Sequence, residues 1–277
     1  MSAAGAELRV LQAGPADGDP VLFLHGWPQD ASAWIPVMEH AAEGHRCLAV
    51  DLPGIGGSSI PEARGDKAYL AGIIRELVQA LQLTDLTLVG HDAGGMIVFS
   101  YLRAYPDLRA AVIMDTVVPG IPPWQRVLAH PAIWHFAFHA IPELPEILVA
   151  GHQRRYFDYF FDAISARPRA IPPSARDRYA ASYRDPASLR QGFELYRALT
   201  ADAGANAQPG GSSDTPTLYL RGSAEGGDLA VYRDGLVAAG LRSVRTALVD
   251  GAGHFAPEEA PAEVWAAISA HIAGAGG

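Results

Sequence analysis

Short apolar runs bounded by Gly, Pro and Asp recur along the chain, and longer stretches with helical spacing separate them. The runs lie at 8–12, 21–24, 46–50, 86–89, 111–114, 217–220 and 244–249, and their Val and Leu content suits strands covered on both faces. Helical spacing and composition predict helices at 31–42, 67–83, 94–105, 229–239 and 261–273. The last opens on Pro261, which the first helical position tolerates, and ends in a Gly-rich tail. Strands alternating with helices predict an α/β fold with a mostly parallel central sheet flanked by helices.

The alternation stops at Pro119 and resumes at Thr215. Between them lie aromatic, Arg-bearing helical segments without convincing strands, which predicts a helical cap at 120–214 inserted into a core formed by 1–119 and 215–277. Residues 201–214, ADAGANAQPGGSSD, have the composition of a flexible return linker.

Composition narrows the field. The 277 residues carry 30 acidic and 21 basic side chains, a net charge of −9, so the electrostatic footprint of a nucleic-acid binder is missing. No run approaches the roughly 18 consecutive apolar residues of a membrane span. The single Cys47 cannot form an internal disulfide, and the first residues lack the basic and apolar regions of a secretion signal, so a cytoplasmic protein is expected. No His, Cys or carboxylate cluster has zinc-like spacing, and the Gly-rich loop at 51–58 completes neither a dinucleotide nor a Walker pattern. No metal or cofactor is expected, and the loop reads as a structural turn.

Three motifs that follow predicted strands carry chemistry, on the sheet edge where open α/β sheets bind ligands. The run 86–89 leads into Gly90-His91-Asp92-Ala93-Gly94-Gly95 and then a helix, the strand–turn–helix setting of a nucleophile elbow. Asp92 stands where such elbows usually carry Ser. A carboxylate there is poorly suited to acyl transfer, but it can displace a leaving group at saturated carbon and form an alkyl ester. The bland alternative is that Asp92 only caps the following helix.

After 21–24 comes His25-Gly26-Trp27-Pro28. This turn can aim the Trp27 backbone N–H inward, where with that of Ala93 it forms an oxyanion hole; Pro28 invites a cis bond, and His25 reads as a structural hydrogen-bonding residue. After 244–249 comes Asp250-Gly251-Ala252-Gly253-His254-Phe255. His254 is the natural base for activating water. The acid that orients it follows one of two strands: Asp115, preferred because it lies beside the nucleophile strand, or Glu225 or Asp228.

Together, His25-Gly26-Trp27-Pro28, the 51–58 loop, the Asp92 elbow and the His254 loop resemble the α/β-hydrolase superfamily over nearly the whole chain. Within it, an Asp nucleophile with His-Gly-x-Pro is similar to epoxide hydrolases and to their relatives, the haloalkane and fluoroacetate dehalogenases. That resemblance implies two ring-opening donors from the cap. Phe193-Glu194-Leu195-Tyr196-Arg197 resembles the phrase in which Tyr196 takes this role, and Trp134-His135-Phe136 resembles the bacterial Cif-type phrase in which His135 is the second donor. Dehalogenases differ at identifiable positions. Haloalkane enzymes place Trp after the nucleophile, where this chain has Ala93, and a polar residue where it has Trp27. Fluoroacetate enzymes place Arg residues in the elbow, where this chain has Ala93, Gly94 and Met96, and Trp after the cap His, where it has Phe136.

The resemblance therefore implies an epoxide hydrolase acting on a small-molecule epoxide with water as co-substrate, and the aromatic cap points to a largely apolar one. Trp27, His91, Trp134, Phe136 and Phe255 are expected around the substrate. The aromatic run Tyr156, Phe157, Tyr159, Phe160 and Phe161 reads mainly as cap packing with one or two members in the pocket. A dehalogenase on the same nucleophile and a non-catalytic small-molecule receptor remain as alternatives. Oligomeric state stays open, a homodimer included.

Overall fold

The computed structural model describes residues 1–275 apart from Ala4 and Pro106. Two short strands, β1 (Ser2–Ala3) and β2 (Ala6–Glu7), pair with each other at the N-terminus. The main sheet contains β3 (Val10–Ala13), β4 (Asp19–Leu24), β5 (His45–Val50), β6 (Thr87–His91), β7 (Ala110–Met114), β8 (Thr217–Gly222) and β9 (Val244–Val249). Its order is β3-β5-β4-β6-β7-β8-β9, with β3 antiparallel to β5 and the other neighbours parallel.

Alternate residues of one strand point to opposite faces, and the core divides accordingly. Val21 and Phe23 of β4 join Val89, Val112 and Leu220 on one face. Leu22 and Leu24 join Leu88 and Ile113 on the other. The first face is covered by α1 (Ile35–Ala41) and α13 (Pro261–Gly274), the second by α2 (Lys67–Ala80) and α3 (Ala93–Ala104). Central strands β6 and β7 are buried at every residue, as strands covered on both faces must be, whereas the edge strand β9 is half open.

Boundaries follow local chemistry. The Asp66 carboxylate accepts the Tyr69 N–H and starts α2 where predicted, while the helix stops at Ala80, three residues before its predicted end. The predicted helix 31–42 is divided: Asp30 caps a 3-10 turn, Ala31–Trp34, and α1 follows with Pro36 in its first turn. Helix α11 (Leu229–Ala238), capped by Asp228, packs on β9, and the short α12 (Ala256–Glu259) precedes α13.

Between β7 and β8 the described chain is helical, with α4 (Trp124–Leu128), α5 (Trp134–His139), α6 (Leu144–Val149), α7 (Gln153–Ile164), α8 (Pro173–Ser182), α9 (Pro186–Arg197) and α10 (Leu199–Asn206). Helix α10 corrects the expected linker, because residues 201–206 are helical. Leu199 and Asp202 are buried there, and Asp202 pairs with the buried Lys67 ammonium at 3.1 Å. Among the described residues no helix is long and apolar enough to cross a membrane.

Polar contacts fasten these helices over the strand ends. Tyr183 donates to the carbonyl of Gln29 at 2.9 Å, Ser182 to Asp30 Oδ2 at 2.6 Å, and Arg178 to Ser32 Oγ at 2.8 Å. From the other side, Glu259 Oε2 accepts the backbone N–H groups of Ala166 and Arg167 at 2.9 and 2.8 Å.

Candidate active site

Asp92 occupies the sharp turn between β6 and α3 with φ 49° and ψ −120°, a conformation that a non-glycine residue adopts only under constraint. The constraint comes from close packing. A Cβ on Gly90 would stand 2.3 Å from the Gly94 carbonyl oxygen, and one on Gly26 would stand 2.4 Å from Asp92 Cβ. The Asp92 side chain makes no capping bond on α3 of the kind an N-cap Asp provides. It reaches instead across the sheet edge, where Oδ2 accepts the Trp27 N–H at 2.8 Å, and the Ala93 N–H also donates to the carboxylate. The backbone N–H groups of Trp27 and Ala93 are thus turned to the Asp92 carboxylate, and the Trp27–Pro28 bond is cis. Burial raises the Asp92 pKa, against the opposing pull of His254 and these two N–H groups.

His25 is buried beneath this turn, with Nδ1 donating to the Gly26 carbonyl at 2.9 Å and Nε2 accepting the Leu52 N–H at 2.9 Å. Both ring nitrogens are used, which fits the structural reading. Asp51 likewise serves the turn, since it accepts the N–H groups of Ala31 and Gly57 and pairs with Arg9.

His254 follows β9. Its Nδ1 donates to Glu225 Oε1 at 2.6 Å, and this pairing corrects the expected acid from Asp115 to Glu225. Both carboxylates sit at the ends of neighbouring strands, but the 3-10 turn Ser223–Glu225 carries Glu225 toward the imidazole. Asp115 instead turns Oδ1 to the Gly222 N–H at 2.7 Å. The third possibility, Asp228, caps α11 through the Ala230 N–H. Burial would raise the Glu225 pKa, but His254 and Arg221 draw it down to about 2. Burial would lower that of His254, yet Glu225 and Asp92 move it above the usual histidine value.

Asp92, His254 and Glu225 line one cavity of about 380 Å³ together with Trp27, His135 and Tyr196. Phe136 and Phe255 also line it, and Tyr159 and Phe160 are the members of the aromatic run that reach it. Two expected lining residues are corrected. His91 is 1% exposed beneath the His254 loop, where its Nε2 donates to the His254 carbonyl at 2.7 Å. Trp134 is 41% exposed on the outer side of α5, because neighbouring helical residues point about 100° apart and His135 takes the inward position.

The roof residues are neutral. Burial, then the nearby His254, lowers the His135 pKa to about 4. Burial, then Asp92, holds the Tyr196 phenol well above its ordinary range. No described residue hydrogen-bonds the Tyr196 hydroxyl, whose ring packs edge-on against Trp27 and His139. His139 was missed by sequence reasoning, although its spacing of four from His135 on one helix was a signal. It is fully buried, and its Nε2 lies 2.6 Å from the Tyr156 hydroxyl. Lys67 was also missed; its ammonium donates to the carbonyl of Leu195, the residue before Tyr196.

A family model described as alpha/beta hydrolase fold matches residues 19–261. The chain belongs to the α/β-hydrolase fold family. This hydrolase-fold chain is similar to a soluble epoxide hydrolase of Corynebacterium sp. (strain C12), 28% identical over 251 residues that cover 88% of this chain and 86% of that protein. A fluoroacetate dehalogenase of Burkholderia sp is 28% identical over 190 residues, 65% of this chain and 62% of the relative. The solved structure of epoxide hydrolase CorEH without ligand superposes with a TM-score of 0.85 at 26% identity, covering 98% of this chain and 96% of that one. In this hydrolase-fold chain no group of three or more His, Cys, Asp or Glu among the described residues has the arrangement of a metal site.

Proposed function

We propose that the protein is an epoxide hydrolase, with the helices of residues 120–214 acting as the cap that closes the site. The observation that carries this reading is an elbow carboxylate already held by two backbone N–H groups, facing a roof of neutral, buried donors. Asp92 attacks an epoxide carbon and the ring C–O bond breaks. The departing oxygen accepts hydrogen bonds from Tyr196 and His135 and leaves as a hydroxyl, its proton delivered through the Tyr196 phenol.

The product of this step is an alkyl ester on Asp92. His254, oriented by Glu225, removes a proton from water, which attacks the ester carbonyl. The negative charge that develops on the carbonyl oxygen falls to the Trp27 and Ala93 N–H groups. Collapse frees the vicinal diol as protonated His254 gives its proton to the departing oxygen. The second proton of the attacking water returns to the Tyr196 phenolate, so the Asp92 carboxylate, neutral His254 and the Tyr196 phenol are all regenerated. These steps need no cofactor. A cavity of about 380 Å³ lined by Met96, Val117, Phe136, Phe160 and Phe255 favours a small, largely apolar epoxide.

The same nucleophile would form an ester from a haloalkane or a haloacid, so the test must separate the leaving groups. Intact-protein mass spectrometry of His254→Gln after exposure to aryl and alkyl epoxides, haloalkanes and fluoroacetate does so. The account expects a mass gain equal to a whole epoxide, absent when Asp92→Ala is added. A gain equal to a haloalkane without its halogen, with none from epoxides, would assign the site to dehalogenation. Adducts from no compound, with tight binding of one of them, would favour a receptor.

A further inference from the structure

Asp115 is buried to 1% exposure beside the His254–Glu225 pair and is used by neither the nucleophile nor the base. Its backbone is held at φ 45°, a constraint that fixes where the carboxyl points. Oδ1 accepts the Gly222 N–H at 2.7 Å, which leaves Oδ2 buried without a hydrogen-bond donor. Glu225 presents a matching deficit. Its Oε1 is taken by His254, while Oε2 lies 3.0 Å from Arg221 Nη1 as an ion pair but lacks the alignment of a hydrogen bond. Both carboxyl groups line the same cavity, on the turns that follow the paired strands β7 and β8, and the neighbouring Glu225 favours the protonated form of Asp115. Two ionised carboxylates in that arrangement would repel in a site with little water, whereas one proton between them satisfies both orphan oxygens.

We propose that Asp115 is a neutral carboxylic acid that donates its proton to Glu225 Oε2, making it a positioning residue for the Glu225–His254 pair. Glu225 keeps the negative charge because it faces the cations: Arg221 on β8 and, when protonated, His254 and His91. Asp115 is raised by burial and by the charge of Glu225, with Arg221 and the Gly222 N–H opposing. Asp92, which faces His254, and the phenols of Tyr219 and Tyr232 complete the ionisable surroundings. Glu225 is thereby gripped from both sides, with one oxygen aimed at the imidazole.

The kinetic half of this inference rests on the proposed ester mechanism, but the protonation state does not, so the two fail separately. Infrared difference spectra of Asp115→Asn against the natural protein read the protonation directly, with the aspartates isotope-labelled so that the band of Glu258, a glutamate whose pKa burial raises to about 7, does not move with the label. A protonated carboxyl band at neutral pH, lost on substitution and sensitive to the label, is expected; its absence would overturn the proposal whatever the substrate. In single-turnover kinetics, Asp115→Ala is expected to slow ester hydrolysis about tenfold, the order of losing one hydrogen bond to a charged group. Asp115→Asn, a neutral donor of the same shape, is expected to restore the rate and leave the acid limb of the pH profile in place. An acid limb displaced to lower pH in Asp115→Asn would show that Asp115 normally carries charge, and would refute the assignment.

Discussion

The two sides of the cavity are built on different physics. On the sheet side, charges stand at strand ends and each is answered locally: Asp92 by backbone N–H groups, His254 by Glu225, Glu225 by Arg221. On the helical side, His135, His139 and Tyr196 are packed among rings and kept neutral by burial, with Trp27 reaching up from the sheet edge to touch His139 and Tyr196. Strand ends and tight turns offer fixed backbone dipoles that can hold charge, whereas helix interiors have their backbone groups already paired. In the proposed mechanism this division lets one wall carry the nucleophile and the base while the other supplies hydrogen bonds to the leaving oxygen without competing as a charge.

Removing the nucleophile breaks the contrast most severely. Asp92→Ala is expected to reduce diol formation to background, measured by product assay, with the fold retained by circular dichroism. His254→Gln should leave the first alkylation intact but slow steady-state turnover by a factor on the order of 10² to 10⁴, separable by burst kinetics. On the opposite wall, Tyr196→Phe should slow alkylation by about 10²-fold and leave ester hydrolysis nearly unchanged, which stopped-flow single turnovers can resolve.

Smaller effects sharpen the account of charge. In the proposed mechanism His254 acts as a base only when neutral, and Glu225 helps to raise its pKa, so activity should fall as pH drops through that raised value. Glu225→Gln should move this acid limb to lower pH while lowering the plateau, a shift that a pH–rate profile detects. The smallest expected effect lies where the roof is fastened. Glu258, bonded by Tyr179 and Gln29, has its pKa raised by burial from 4.5 to about 7. Because the folded state holds this proton more tightly, the stabilisation is full below about 4.5 and is lost as pH rises toward about 7. Glu258→Gln should therefore raise Tm by about 2–4 °C on the alkaline side of that window and change little on the acid side, as calorimetry would show.

The sheet wall was more legible in the sequence than the roof. The strand positions, the elbow, the turns carrying Trp27 and Ala93, and His254 all belong to short segments whose turn residues dictate local geometry. Choosing Glu225 over Asp115 depended on the three-residue turn Ser223–Glu225, whose direction no periodicity encodes. In the roof, the facing of α5 decided Trp134 against His135, and a residue pattern of aromatic side chains all round the helix gives little indication of which face is inward. His91 was misplaced for a related reason. Beside the nucleophile in sequence, it lies at the end of β6 on the side that supports the His254 loop.

The covalent ester on Asp92 is the central claim, and the most direct test follows oxygen. In a single turnover with excess enzyme in water labelled with heavy oxygen, the diol should emerge unlabelled and the peptide containing Asp92 should carry the label, because water attacks the ester carbonyl. Label in the diol with an unlabelled Asp92 would mean that water opens the epoxide directly, and would contradict the account.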